Sequence, residues 1–181
     1  YIAAVPFERI ATLVPEAGID TSAFSHSSIT GIHLWFDRPV TELPNATLLD
    51  RNIQWFFNKD SGRYLQLVIS ASRQLLEMPR QQVIDLALGE LREFLPGARD
   101  AQLLKAHVVK EARATYSALP GLHHHRPEPQ TKLQNLWLAG DWTQSGWPAT
   151  MEGAVRSGYR AAEFTAAALN PPSKFLLPDI K

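Results

Sequence analysis

The sequence predicts an α/β fold, α+β in the broader sense: a strand-and-helix unit interrupted by an inserted, mainly antiparallel β-sheet. Three observations carry this. A strand-like apolar run opens the chain at residues 1–7. A second apolar strand followed by a long helical pattern closes it at 135–169. Between them the texture changes to alternating apolar and polar residues around a turn signal, as half-buried antiparallel strands require. Strand and helix at both ends of a β-rich middle is the pattern of one domain set into another.

The elements follow in order. YIAAVPF (1–7) reads as a buried strand ending at Pro6. ERIATLV (8–14) reads as a short helix, stopped by Pro15 and Gly18. In SSITGIHLWFDRPV (27–40), Ile29, Leu34 and Phe36 alternate with Thr30, His33 and Asp37, which predicts a strand. NIQWFFNKD (52–60) and RYLQLVISAS (63–72) flank Asp60-Ser61-Gly62 and read as a β-hairpin. PRQQVIDLALGELREFLPGA (79–98) is the clearest helix, with Pro79 suited to its first position and Pro96-Gly97 at its end. Val83, Leu86, Leu91 and Phe94 fall on or near one face, which suits core packing; a membrane-surface helix is the other reading. Residues 101–115 read as a strand, 118–135 as a loop, 135–141 as a strand and 148–169 as a helix. Asn170-Pro171-Pro172 is expected to stop that helix, ahead of a loose tail. The resulting division is 1–15 returning to the first domain, 16–125 inserted, 126–170 the closing strand and helix, and 171–181 the tail.

Composition narrows the function classes. The chain has 181 residues, enough for one large domain or parts of two, with 45% hydrophobic and 20% charged residues. Lys+Arg is 18 and Asp+Glu is 18, so no basic excess argues for a nucleic-acid partner. The absence of cysteine excludes disulfides, thiolate catalysis and Cys-based zinc sites. No apolar run reaches the roughly 20 residues of a membrane-spanning helix. The chain starts at Tyr1, directly in a strand-like run, so it is expected to be a piece of a longer protein.

The chemistry concentrates in LWLAGDWTQSGWPATMEGAVRSGYRAA, residues 136–162. Leu136, Trp137 and Leu138 form a buried strand; Ala139 and Gly140 are small enough for close approach of the backbone to something beyond its end. Ligands of open α/β sheets sit at the carboxyl ends of strands. There Asp141 can accept hydrogen bonds from ligand hydroxyls. The helix after it offers free N–H groups near Thr150 and Met151, and its dipole favours negative charge, by roughly 0.3–1 kcal/mol at a surface. Gly153, Ser157 and Ala161 repeat at one-turn spacing, as do Ala154, Gly158 and Ala162. Such small faces pack closely against a sheet or against a cofactor, and spacing alone does not choose. Glu152 and Arg156, four apart, are expected to pair on the helix surface. His123-His124-His125 lacks a carboxylate partner pattern and no HExxH occurs, so no metal is expected. His33 and His107 lie in strand-like runs and read as structural; no GxSxG occurs, and no catalytic residue is singled out.

LAGDWTQSGWPATMEGAVRSGYRAA resembles the C-terminal FAD-contacting motif of the amine oxidase and phytoene desaturase flavoprotein superfamily, in which a strand ends in Gly-Asp and a helix begins around Met-Glu-Gly-Ala. AAVPFERIATLVPE, HLWFDRPV, IQWFFNK, LVISASR and GELREFLPGARDAQLLKAHVVKEARATYSALPG, in that order before it, are similar to the C-terminal half of the squalene-associated FAD-dependent desaturases of hopanoid biosynthesis, also described as hydroxysqualene reductases or dehydroxylases. The ATYSALPG…RP…LAGDW run carries the subfamily likeness.

The resemblance implies the C-terminal part of an FAD-binding Rossmann-like domain with an inserted substrate domain. It implies that Asp141 bonds the ribityl or pyrophosphate region of FAD, with Gly140 allowing the approach. Met151 would bring its N–H to the flavin N1 and C2 carbonyl, and Pro148, Ala149 and Thr150 would shape that approach. Trp142 and Trp147 would lie near the ring or the substrate channel, with core packing the alternative for each. The apolar strands carrying Leu34, Trp35, Phe36, Trp55, Phe56 and Phe57 would wall a channel for a C30 isoprenoid, with at least half of these side chains in ordinary core; Trp35, Trp55 and Trp147 are the channel candidates. The implied activity moves a hydride between flavin and an isoprenoid such as hydroxysqualene or squalene, in a direction the sequence leaves open. A general amine oxidase, a carotenoid-type desaturase, and a non-catalytic lipid- or partner-binding remnant without flavin are the alternatives. No GxGxxG is present, so a truncated or split flavoenzyme that binds FAD poorly alone is expected, partnered by a missing N-terminal half or a homo-oligomer. The family implies a cytoplasmic setting with peripheral membrane contact.

Overall fold

The computed structural model describes residues 1–169 and 173–178. The chain divides into two compact units, one made of Tyr1–Ser25 with Tyr116–Lys181 and the other of His26–Thr115. Residues 16–25 and 116–125, grouped with the inserted domain on sequence, lie in the first unit.

The His26–Thr115 unit is a five-stranded sheet with helices on one face. Its strands are β2 (His26–Phe36), β3 (Asn45–Thr47), β4 (Trp55–Asp60), β5 (Tyr64–Ser70) and β6 (Leu103–Tyr116, whose last residue belongs to the other unit). Their order is β3-β4-β5-β2-β6. β2 pairs antiparallel with β5 from Ile29↔Ser70 to Trp35↔Tyr64. Opposed residues share a face, so strict alternation buries Ile32, Leu34 and Phe36 together with Leu65, Leu67 and Ile69. The β4–β5 turn carries positive φ at Ser61 and Gly62. A Cβ at Gly62 would lie 2.3 Å from the Thr41 carbonyl oxygen, so the position needs glycine.

The long helix is α2 (Arg80–Phe94) and its stripe is Val83, Ala87 and Leu91, continued by Leu95 beyond its end. Each large apolar side chain buried in this core stabilises by about 1.5–3 kcal/mol relative to exposure. The expected stripe needs correction at Phe94, which is 40% exposed and lies under the Arg51 guanidinium at 5.1 Å. A 3.6-residue period carries the buried face from Leu91 to Leu95, so Phe94 falls beside it. The helix also stops earlier than 98: Leu95 is extended, as a residue before proline prefers, and Pro96–Arg99 forms a separate turn of helix, α3. Pro79 caps α2 in an extended conformation and is not its first helical residue. The three-residue β3 is too short, and too close to Pro44, to carry a periodic signal.

In the other unit β1 (Ile2–Ala3) runs parallel to β7 (Trp137–Leu138), with Ile2↔Trp137 and Ala3↔Leu138 in register. Both strands are shorter than expected. Pro6 precedes α1 (Phe7–Leu13), and Gly140, at φ 147°, turns the chain beyond β7. Phe7, Ile10, Phe24, Tyr116, Leu138 and Trp142 are core. Phe24 organises it, stacked on Phe7 at 5.3 Å and edge-on to Tyr116 at 5.5 Å and Trp142 at 6.2 Å. The closing helix, α4 (Met151–Leu169), starts three residues later than expected. Its expected stop at 170–172, and residues 179–181 of the tail, lie outside the described residues. Within the tail, the Phe175 and Leu176 N–H groups both donate to Glu163 Oε1, at 2.7 and 2.8 Å. Among the described residues no helix is long and apolar enough to cross a membrane.

Candidate functional site

The segment from the end of β7 to the start of α4 is built by polar contacts. A Cβ at Gly140 would lie 2.5 Å from Trp142 Nε1, so the close approach that this glycine permits is to an indole of the same chain. The Gly140 N–H donates to Ser157 Oγ at 2.7 Å, which docks α4 on the strand end. The Trp142 indole N–H donates to the Val5 carbonyl at 2.9 Å, and the side chain is 1% exposed. Of the two readings of Trp142, the structure takes core packing; a ring this buried offers nothing to a cofactor.

Asp141 is half-buried. Burial pushes its carboxyl above the ordinary carboxylate range, opposed by backbone N–H bonds, its own and that of Trp142, and by the Arg126 charge. Arg126 is 9% exposed. Its Nη2 donates to the Asp141 carbonyl at 2.8 Å and to Ser145 Oγ at 3.2 Å, and its Nη1 donates to the Trp147 carbonyl at 2.8 Å. The Tyr116 hydroxyl also reaches the Asp141 carbonyl, at 3.5 Å. Between these ends the Gln144 carbonyl accepts from Arg160 Nη1, while the Gln144 N–H donates to the Pro127 carbonyl at 2.7 Å. In the sequence Arg126 stands only as the Arg of the RP in the ATYSALPG…RP…LAGDW run, and that run assigns it no role. Its one signal was its place before a proline, in a loop that otherwise reads as surface.

At the start of α4, Thr150 Oγ1 accepts the Gly153 N–H at 3.0 Å, an N-cap contact. A Cβ at Gly153 would meet the Pro148 carbonyl oxygen at 2.4 Å. Gly153, Ser157 and Ala161 are therefore the face buried against the chain itself, whereas a Cβ at Gly158 would meet nothing within 4 Å. The Met151 residue is 89% exposed, and a first helical turn leaves N–H groups without intrahelical acceptors. Pro148 and Ala149 line an open pocket of about 190 Å³ with Tyr116, Leu119, Leu122 and Arg126. Trp147 lies beneath the Arg156 guanidinium at 4.6 Å, and Arg156 also meets Glu152 at 3.6 Å.

The other two channel candidates share the sheet face opposite the core. Trp35 is opposite Tyr64 and Trp55 is opposite Val68, which puts them on one side. Trp35 stacks on Tyr64 at 4.5 Å with an 11° interplanar angle, under Lys105 Nζ at 4.8 Å. The Tyr64 hydroxyl and His33 Nδ1 are 2.7 Å apart, and the His107 ring lies 6.2 Å from that of His33. Trp55 is 42% exposed and stacks on Phe57 at 6.0 Å. Leu34, Phe36 and Phe56 are buried in the core instead. Among the described residues no group of three or more His, Asp or Glu could hold a metal; the His123–His125 segment forms a turn beside Gln144, whose Nε2 donates to the His123 carbonyl at 3.2 Å.

Comparison with known proteins agrees with this architecture. A hydroxysqualene dehydroxylase from Sinorhizobium fredii is 37% identical over 169 residues, 93% of this chain and 39% of the relative. A chloroplastic/chromoplastic 15-cis-phytoene desaturase from an Oncidium hybrid cultivar is 30% identical over 185 residues, 90% of this chain and 32% of the relative. The chain thus spans about two fifths or less of the length of these relatives. The solved structure of a reduced UDP-galactopyranose mutase superposes with a TM-score of 0.57 at 12% identity, covering 93% of this chain and 40% of that one, a likeness of fold. Residues 1–164 match the flavin containing amine oxidoreductases, and the chain belongs to that family.

Proposed function

We propose that this chain is the part of an FAD-dependent oxidoreductase that faces the flavin and an isoprenoid substrate, with hydroxysqualene or squalene as the substrate class. The observation that carries the reading is one pair of features in one unit: the half-buried Asp141 carboxylate past the end of β7, and the capped start of α4 at Thr150 and Met151. Their chemistry fits the group. A carboxylate accepts hydrogen bonds from ribityl hydroxyls, and a helix N-terminus favours the negative charge of a reduced ring or a phosphate. FAD, when bound, supplies the hydride-transfer chemistry; the protein supplies position, water exclusion and charge. Asp141 would hold the sugar alcohol chain, and Met151 would present its N–H to the ring carbonyl side. Trp35 and Trp55, on one face of the sheet, would offer apolar wall to a hydrocarbon that needs walls more than polar anchors, and Trp147 is a separate channel candidate in the other unit.

The sequence has no GxGxxG, so the dinucleotide contacts of that motif would come from a complementary N-terminal segment. A membrane-dissolved substrate would call for peripheral contact with the bilayer, and a cytoplasmic setting is part of the same proposal. A carotenoid-type desaturase is the second reading, favoured by the identity to a phytoene desaturase. The test is to supply the chain with such a segment and FAD, then assay reduced flavin with hydroxysqualene and oxidised flavin with phytoene. Squalene formation is the expected result. Phytoene desaturation alone would move the assignment to the second reading, and flavin binding with neither product would remove the isoprenoid assignment.

A further inference from the structure

Burying a guanidinium is costly unless its donors are met by acceptors in good geometry. Arg126 meets that condition at its two terminal nitrogens, while its Nε is buried without a hydrogen-bond partner. Its two terminal nitrogens reach the carbonyls of Asp141 and Trp147, the two ends of the loop that joins β7 to the approach to α4, and one of them also reaches Ser145 inside that loop. A planar fork that meets two carbonyls at 2.8 Å sets the distance between them, which a lysine with one nitrogen does not do. The other contacts of the loop hold its middle: Arg160 and Pro127 meet Gln144, and Thr143 Oγ1 donates to the Gly140 carbonyl at 2.8 Å. Arg126 also lines the pocket beside Pro148 and Ala149, so it touches both the loop and the approach to the helix start.

We propose that Arg126 is a positioning residue: its guanidinium fixes the span from Asp141 to Trp147, and thereby the spacing at which the Asp141 carboxylate and the N-terminus of α4 are presented to the flavin. This rests on the flavin reading above. Arg126 acts through the loop, with its hydrogen bonds ending on protein acceptors. Its charge has a second effect, since Arg126 and the Tyr116 phenol face Asp141 and the cation favours the ionised carboxylate against burial.

The two roles separate in Arg126→Lys, which keeps the charge and loses the fork, and Arg126→Met, which loses both. Three readouts on the full chain decide the matter: amide hydrogen exchange at Thr143, Gln144 and Trp147, the NMR titration of the Asp141 carboxyl, and FAD affinity measured with the complementary N-terminal segment present. Exchange at the three amides is expected to quicken about tenfold in both variants, the worth of one well-placed hydrogen bond to a charged group, with the Ile32 amide of the sheet unchanged as the check on folding. The Asp141 midpoint is expected to rise in Arg126→Met and to return in Arg126→Lys. FAD affinity is expected to fall about tenfold in both. Unchanged exchange in both variants overturns the role of Arg126 in the loop, whether or not flavin binds. Faster exchange with unchanged FAD affinity overturns its role toward the flavin. A wild-type chain that takes up no FAD overturns the flavin reading, and with it the positioning role toward flavin, leaving exchange to report Arg126 as a loop clamp alone.

Discussion

The two compact units are ordered by different chemistry. In His26–Thr115 one apolar core runs from Ile32 through Phe56, Leu67 and Leu91 to Val108, laid down by two periods, two residues along the strands and 3.6 along α2. In the unit of Tyr1–Ser25 and Tyr116–Lys181 the apolar cluster is small and aromatic, and the chain around it is tied by hydrogen bonds to backbone carbonyls from Trp142, Arg126 and Arg160. The difference teaches what each kind of order can position. A periodic core builds a stable wall with a second face free to carry Trp35 and Trp55. A clamped loop can set individual polar groups such as Asp141 at the end of a strand, because each tie fixes one atom.

The largest expected effect breaks the wall. Phe56→Ala removes a fully buried ring and should cost about 3–5 kcal/mol, measured by urea unfolding. A loss under about 1 kcal/mol would show that the sheet core is not continuous. In the clamped unit the comparison sharpens at two glycines of one helix. Gly153→Ala drives a methyl onto the Pro148 carbonyl and should cost about 1–3 kcal/mol. Gly158→Ala meets nothing and should stabilise by about 0.5–1 kcal/mol through helix propensity. Equal effects at the two positions would mean that α4 does not dock through its Gly153 face.

The smallest effects are two opposed pH slopes. Burial holds the folded Asp141 carboxyl above its unfolded value, so between those values the folded state binds more protons and stability falls as pH rises through the window. Asp141→Asn should remove that slope and, at neutral pH, unfold no more easily than wild type. Burial, then the neighbouring His107, holds the folded His33 below its unfolded value, so stability should fall as pH drops below about 6.5. His33→Gln should flatten that second slope. Urea midpoints of the three proteins between pH 4 and 8 test both, and slopes of the same sign would contradict the account.

The same contrast explains what could be read from the sequence. The strands at 26–36, 55–60 and 64–70 and the helix at 80–94 announce themselves by period, because each buries one face. Phe94 is misleading because its aromatic character outweighs its angular position, and Ala87 is inconspicuous because a small side chain gives a weak apolar signal. In the candidate site, Asp141, Gly140 and the start of α4 were legible from a strand–Gly-Asp–helix motif. The sequence leaves Trp142 open between ring contact and core, and the indole bond to Val5 ties it into the core. Arg126 was not legible, since a buried clamp made by one side chain has no period and its acceptors lie 15 and 21 residues away.

The most direct test of the central claim, that the clamped unit meets the flavin through Asp141 and the start of α4, is an NMR titration of the isotopically labelled chain with FAD. The account predicts weak binding, with amide shifts concentrated at residues 140–142 and 151–153 and lost in Asp141→Asn. Shifts absent from both segments at saturating FAD, or unchanged in Asp141→Asn, would contradict it.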